Sequence, residues 1–127
     1  MAIHQTVTVK SDPRRVYEAL TSSNEFGKVT GAPTEIADGE GGAFSCFGGH
    51  IVGRHLELDP ANRIVQAWRA VSWPKGAYSI VRFDLTEEGD TTTINLEHAG
   101  FPEDAAEHLE AGWHKMYWEP LKTYLEP

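Results

Sequence analysis

The residues whose spacing most suggests chemistry are the glycines of positions 39–53, which read GEGGAFSCFGGHIVG. Glycine at this density can bring backbone amides close to a phosphate, or it can make the tight turns that flank a bent β-hairpin. The stretch lacks G-x-G-x-x-G spacing and a G-K-[ST] sequence, and no predicted helix follows whose N-terminus could bind phosphate. We therefore interpret it as turns and bent strands. Strand alternation predicts that Phe44 and Phe47, three positions apart, face opposite sides, so that one of them lines the interior.

Histidine and cysteine are the side chains that could hold a metal. The chain has a single cysteine, Cys46, and six histidines, none of which forms an H-x-x-x-H pair on one helix turn. A zinc site needs four such ligands, or three with an open position, at characteristic spacing. The sequence therefore predicts no metal and no cofactor. The histidines are His4, His50, His55, His98, His108 and His114.

His98 is the histidine with the clearest functional potential. Strand alternation places it on the apolar face with Ile94 and Leu96. It is either a core histidine bonded to one partner or a polar group that faces a ligand. Arg69 and Arg82 leave a similar choice between a solvated outer-face residue and a ligand clamp.

Aromatic residues are concentrated in the second half of the chain. Aromatic side chains at helical spacing usually belong to a core, but buried indole and hydroxyl groups need partners and can orient a ligand. We find no Ser/His/Asp order, nucleophile elbow or paired carboxylates, so the sequence contains no catalytic motif and leaves enzymatic activity uncertain. The tryptophans and tyrosines of this half are Trp68, Trp73, Trp113, Trp118, Tyr78, Tyr117 and Tyr124.

Hydrophobic periodicity predicts the elements that must position these groups. Asp12 and Pro13 form a helix start, and alternation such as Val81–Phe83–Leu85 indicates half-buried strands separated by turns. Pro120 predicts a bend near 116–120 in the last helix. This order predicts an α+β fold in which a curved antiparallel sheet wraps around a C-terminal helix, with room for a ligand between them. The predicted elements are a strand at 3–10, helices at 13–22 and 23–29, strands at 34–38, 43–48, 50–58, 63–73, 78–87 and 91–99, and a long helix at 103–126.

The charge is unevenly distributed. The net charge of the 127-residue chain is −8. Residues 84–127 carry −9, and the rest of the chain carries +1. Such a surface repels phosphate backbones, which argues against nucleic acid as a partner, although it could dock on a basic protein surface. No window is long and apolar enough to cross a bilayer, and no signal peptide is recognisable. We expect a single domain over 1–127, no membrane insertion and a cytoplasmic location.

The chain resembles the START-like (SRPBCC, helix-grip) superfamily and, within it, homologues of the activator of the heat-shock chaperone ATPase. The resemblance extends from about residue 5 to 125, and it implies the helix-grip fold rather than any one activity. The residues that carry it are Pro13, Val16, Tyr17, Ala19 and Leu20, then Gly42 to Phe44, Phe47 to Gly49, Ile51 to Gly53, Ile64 to Arg69, Ser79, Leu96 to His98, Gly112 and Trp113.

The resemblance implies that the protein binds a small apolar or amphipathic molecule between sheet and helix. Two other functions stay open, namely an interaction module for a heat-shock chaperone and a polyketide-cyclase-like or hydrolase-like enzyme. The sequence does not determine the oligomeric state. The residues expected to line the cavity are Phe44, Phe47, Trp68, Val81, Phe83, Leu96, His98, Trp113, Met116 and Tyr117.

Overall fold

The structure, a computed structural model, describes residues 2–126 and consists of one antiparallel sheet packed against helices. The strands are arranged in the order β1-β7-β6-β5-β4-β3-β2, so that the first strand pairs with the last. This arrangement confirms the predicted α+β architecture with a C-terminal helix. The strands are β1 (Ala2–Val9), β2 (Glu35–Ile36), β3 (Ala43–Cys46), β4 (Ile51–Asp59), β5 (Arg63–Ala70), β6 (Ser79–Glu88) and β7 (Thr91–Ala99).

Two short helices, α1 (Pro13–Thr21) and α2 (Ser23–Thr30), follow β1. The Asp12 side chain accepts a hydrogen bond from the Arg15 backbone N–H at 2.9 Å, which caps α1 as predicted. The Ser22 hydroxyl caps α2 in the same way. Gly31 ends α2 with a φ of 70°, a left-handed conformation that glycine adopts without a Cβ penalty.

The C-terminal helix covers residues 103–125 and changes its winding along its length. A 3-10 turn (Glu103–Ala105) leads into α3 (Ala106–Gly112), then into π-helical turns (Trp113–Trp118) and finally into α4 (Glu119–Leu125). The sequence predicted a bend near 116–120, and the structure has π-helical turns at Trp113–Trp118, just N-terminal to Pro120. The Glu119 N–H bonds the His114 carbonyl, five residues back. Proline has no N–H with which to continue the normal pattern.

The core lies between the inner face of the sheet and the helices. Val81, Phe83 and Leu85 of β6 are buried, whereas the alternating Arg82 and Asp84 form an ion pair on the outer face at 2.9 Å. The predicted alternation of β6 is therefore confirmed. β5 was expected to continue to residue 73 but ends at 70, because its pairing with β6 ends at Trp68 and its pairing with β4 ends at Ala70.

The glycine-rich stretch forms turns around β3, as the sequence indicated. Gly39, Gly41, Gly48 and Gly49 all have positive φ values, between 65° and 92°. Gly53 has a different role, because a Cβ there would collide with the Ala67 carbonyl oxygen on the neighbouring strand. Glycine thus allows two strands to approach closely at this point.

The expected division of the two phenylalanines between opposite faces is wrong. Phe44 is buried on the inner face of β3, but Phe47 lies beyond the end of that strand with a φ of 55°. This left-handed conformation turns its ring back to the interior, where it packs edge-on against Phe26 and Tyr117. Strand alternation does not apply to a residue that lies in a turn.

Candidate functional site

A cavity of about 350 Å³ lies between the C-terminal helix and the end of β5 with the loop that follows it. The sheet side is formed by Trp68, Ala70 and the loop residues from Val71 to Trp73. The helix side is formed by Leu109, Gly112, Trp113, Met116 and Tyr117. A volume of this size is typical of small-molecule sites.

Half of the residues that the sequence proposed as cavity-lining occur in this lining. They are Phe47, Trp68, Trp113, Met116 and Tyr117. The other five are buried in the core outside the lining, where they pack between sheet and helices. These are Phe44, Val81, Phe83, Leu96 and His98.

His98 is fully buried and both of its ring nitrogens are engaged. The Trp113 Nε1–H donates to His98 Nδ1 at 3.1 Å, so this nitrogen carries no proton. Nε2 therefore bears the proton and donates to the Ser79 hydroxyl at 2.8 Å, which in turn donates to the Trp68 carbonyl at 2.8 Å. This chain of bonds joins β7, β6, β5 and the C-terminal helix.

Burial lowers the pKa of His98 from 6.5 to about 4, because a charged imidazolium would lose its hydration there. The side chain is thus neutral at physiological pH. With both nitrogens occupied, it is not free to exchange a proton with a molecule in the cavity. Of the two interpretations from sequence, the structure favours the core histidine, with two side-chain partners rather than one.

Tyr117 is a buried residue of the cavity lining. Its hydroxyl accepts a hydrogen bond from Trp68 Nε1 at 3.3 Å. Burial raises the pKa of Cys46 to about 12 and raises that of Tyr117 well above its ordinary value. Both groups are therefore protonated at neutral pH, and the thiol is not a nucleophile.

The loop 71–78 forms one wall of the cavity and is held by Arg69. The guanidinium donates to the carbonyl oxygens of Trp73 at 3.0 Å, Pro74 at 3.3 Å and Ala77 at 3.1 Å. It also lies over the Tyr78 ring at 5.7 Å. Arg69 is thus neither a fully solvated residue nor a ligand clamp but a structural anchor of the loop that carries Trp73. Arg82, by contrast, lies on the outer face and pairs with acidic side chains.

Gly112 occupies the middle of the helix stripe that faces the cavity. Its φ of −62° is ordinary for a helix, and a Cβ at this position would meet no atom within 4 Å. Leu109, Trp113 and Met116 lie on the same face and also line the cavity. The missing side chain therefore leaves space that belongs to the cavity.

Sequence reasoning did not select Gly112, Trp73 or the rim residues His50 and His108 as part of the site. Gly112 had a usable signal, because it interrupts the apolar stripe at a position where a side chain would be expected. The two histidines had none, since they come from distant parts of the chain and only the fold brings them to one rim.

A buried polar pair lies on the inner face of β4 and β5, outside the cavity lining. His55 Nε2 lies 3.2 Å from the Gln66 side-chain nitrogen, and His55 Nδ1 has no hydrogen-bond partner among residues 2–126. Burial lowers the pKa of His55, so the ring is neutral near pH 7. Over the same residues, no group of three or more histidine, cysteine or acidic side chains is placed to hold a metal ion. Nor is any helix of the described chain long and apolar enough to cross a membrane.

The fold is shared with solved structures. An HSP90 activator from Plasmodium falciparum superposes with a TM-score of 0.92 at 23% identity, covering 97% of this chain and 94% of that one. CalU16 from Micromonospora echinospora gives a TM-score of 0.83 at 27% identity, covering 99% and 76%. The architecture is thus the helix-grip fold of START-like proteins.

Curated relatives have the same affiliation. The human "Activator of 90 kDa heat shock protein ATPase homolog 1" is 28% identical over 115 residues, which are 91% of this chain and 34% of that protein. The Dictyostelium discoideum homologue is 32% identical over 111 residues, covering 87% and 29%. The chain spans about a third of the length of the curated relatives it matches. A family model described as "Activator of Hsp90 ATPase homolog 1-like protein" matches residues 10–126, and the chain therefore belongs to this family.

Proposed function

We propose that this protein is a START-like domain that binds a small apolar or amphipathic molecule in the cavity between β5 and the C-terminal helix. The observation that supports the proposal is a cavity of about 350 Å³ whose interior is formed mainly by aromatic and aliphatic side chains. Burial of a ligand there would remove apolar surface from water on both partners, which yields roughly 25 cal/mol per Å². The site is preformed, so little of this gain is lost in ordering the protein.

Filling the cavity from the helix side tests this function. Gly112→Leu places a side chain in open space without backbone strain, and it should abolish binding. Ala111→Leu is the matched control, because Ala111 is exposed on the same helix and should leave binding intact. Native mass spectrometry of the protein purified from its own source would show a retained ligand as added mass. Retention of the same ligand by Gly112→Leu would refute the cavity as its site.

Engagement of a heat-shock chaperone is a second candidate function, favoured by family membership and by the acidic start of the C-terminal helix. Glu103, Asp104, Glu107 and Glu110 are all exposed there. This cluster would face a basic surface of the chaperone, and the association would weaken with salt. With a heat-shock chaperone as partner, we infer a cytoplasmic location. The single cysteine, a free buried thiol, agrees with this location.

Charge reversal separates this candidate from simple ligand binding. A Glu107→Lys/Glu110→Lys double variant should weaken association with the organism's 90 kDa heat-shock protein, measured by a pull-down at low and high salt. The matched control, Glu87→Lys/Asp90→Lys, makes the same change in net charge at the β6–β7 turn. Equal binding by the two double variants would count against docking through the acidic helix.

A further inference from the structure

We propose that the cavity selects a flat aromatic molecule that carries an uncharged hydrogen-bond acceptor at one end, with the ring system inside and the acceptor at the rim. This inference rests on the proposed function and specifies the class of ligand that the cavity takes. It follows from two features, the aromatic walls and the placement of polar groups.

The walls are aromatic on both sides. Trp68 and Trp73 form the sheet side, and their ring centroids lie 5.7 Å apart. Trp113 and Tyr117 form the helix side, and their ring centroids lie 4.2 Å apart. Phe47 adds a fifth ring. Aromatic pairs gain energy beyond area burial when they stack with an offset or meet edge to face. A flat ring system can make several such contacts at once, whereas a flexible alkyl chain can make none.

Two of the three indole N–H groups in the lining are already paired. Trp113 Nε1–H is committed to His98, and Trp68 Nε1–H is committed to the Tyr117 hydroxyl. A polar group placed deep in the cavity would lose its hydration and find these partners taken. The buried part of the ligand should therefore be apolar.

The available polar side chains lie at the rim. His50, Ser72 and His108 are exposed lining residues, and imidazole and hydroxyl groups can donate to a ligand acceptor. Among the described residues that line the cavity there is no carboxylate, lysine or arginine. The cavity thus offers no carboxylate to a cation and no lysine or arginine to an anion.

Three probes of similar size test the class of ligand. They are 2-acetonaphthone (a planar aromatic ketone), decanol (a flexible chain) and phenyltrimethylammonium (an aromatic cation), each titrated by calorimetry and by tryptophan fluorescence. We expect the ketone to bind at least about fivefold more tightly than either other probe, which corresponds to two aromatic contacts at their lower value. Loss of ketone binding in Gly112→Leu would place it in the cavity.

Variants of Trp73 provide the matched pair. Trp73→Leu keeps an apolar wall but removes the ring, so it should weaken ketone binding about three- to tenfold and weaken decanol binding less. Trp73→Phe should retain most of the preference. Near-UV circular dichroism of both variants would verify that they are folded.

The outcomes are distinguishable. Preferred binding of the ketone, lost in Gly112→Leu, supports the proposal. Decanol or the cation binding as tightly as the ketone would overturn the aromatic class but leave the cavity as a binding site. Absence of binding by all three probes to the unmodified chain would overturn both this inference and the proposed ligand-binding function.

Discussion

Replacing His98 by asparagine should make the protein's stability markedly less sensitive to acid. The asparagine side chain would still offer an oxygen to Trp113 Nε1, but it cannot take up a proton. At pH 7.5 we expect H98N to be less stable than the unmodified chain by about 2–3 kcal/mol, because the ring contacts and the bond to Ser79 are lost. The informative quantity is how this difference changes with pH.

The magnitude follows from the buried position of His98. In the unfolded chain the imidazole takes up a proton as the pH falls through 6.5, whereas in the folded protein its pKa is about 4. Between these values the unfolded state binds more protons, so stability falls as the pH falls. The full loss is about 3 kcal/mol, and about 2 kcal/mol of it is reached by pH 5.0.

Urea unfolding at pH 7.5 and 5.0, at constant ionic strength, measures this effect. The unmodified chain should lose about 2 kcal/mol more than H98N between the two conditions, which removes most of their difference at pH 5.0. His55 is buried and has a lowered pKa in both chains, so its contribution cancels. Exposed His114 supplies the control, and H114N should follow the unmodified chain at both pH values.

The reasoning would be refuted if H98N and the unmodified chain lost equal stability on acidification. That result would mean that His98 can accept a proton in the folded protein, either through access to water or by rotation out of its bonds to Trp113 and Ser79. His98 would then become a candidate for direct contact with a ligand.

Three further predictions concern the glycines and the loop anchor. Gly112→Ala should raise the free energy of unfolding by up to about 1 kcal/mol, because it adds helix propensity in open space; a loss of stability in urea would contradict the observed geometry. Gly53→Ala should lower it by about 3 kcal/mol through collision with the neighbouring strand, and a near-neutral effect in the same assay would disprove close packing there. Arg69→Met should lower the free energy of unfolding by about 1–3 kcal/mol and expose Trp73 to acrylamide quenching. The control Arg82→Met breaks only half-exposed ion pairs and should lower it by less than about 1 kcal/mol. Equal effects of the two substitutions would contradict the anchoring role of Arg69.

Local patterns were sufficient to predict most of the fold. Alternation in β6 and β7 and the apolar stripe of the C-terminal helix follow from the regular spacing of buried residues within one strand or helix. The Asp12–Pro13 helix start follows from N-terminal capping, which is also local. The element order then restricted the architecture to a sheet packed on a final helix. Errors occurred where segments end, as at Phe47 and at the end of β5, because turn geometry overrides alternation there.

The site was predicted less completely. Trp68, Trp113 and Tyr117, which the sequence proposed, lie in the cavity lining, whereas Phe44 and Phe83, which are also aromatic residues of the inner face, do not. Gly112 and Trp73 were missed, since a cavity depends on where side chains are absent and on how a loop folds back. The gap that Gly112 leaves in the apolar stripe was a local signal for the first property, but no local pattern encodes the second.

The sequence by itself determined the α+β class, the inner and outer faces of the strands and the burial of His98, because these properties depend on the repeat of a strand or a helix. Only the tertiary structure decided that His98 is tied to Trp113 and Ser79 instead of facing a ligand. It alone also brought Trp68, Trp73 and Trp113 around one cavity. Such arrangements join residues that are far apart along the chain, and their geometry is set by the packing of sheet against helix.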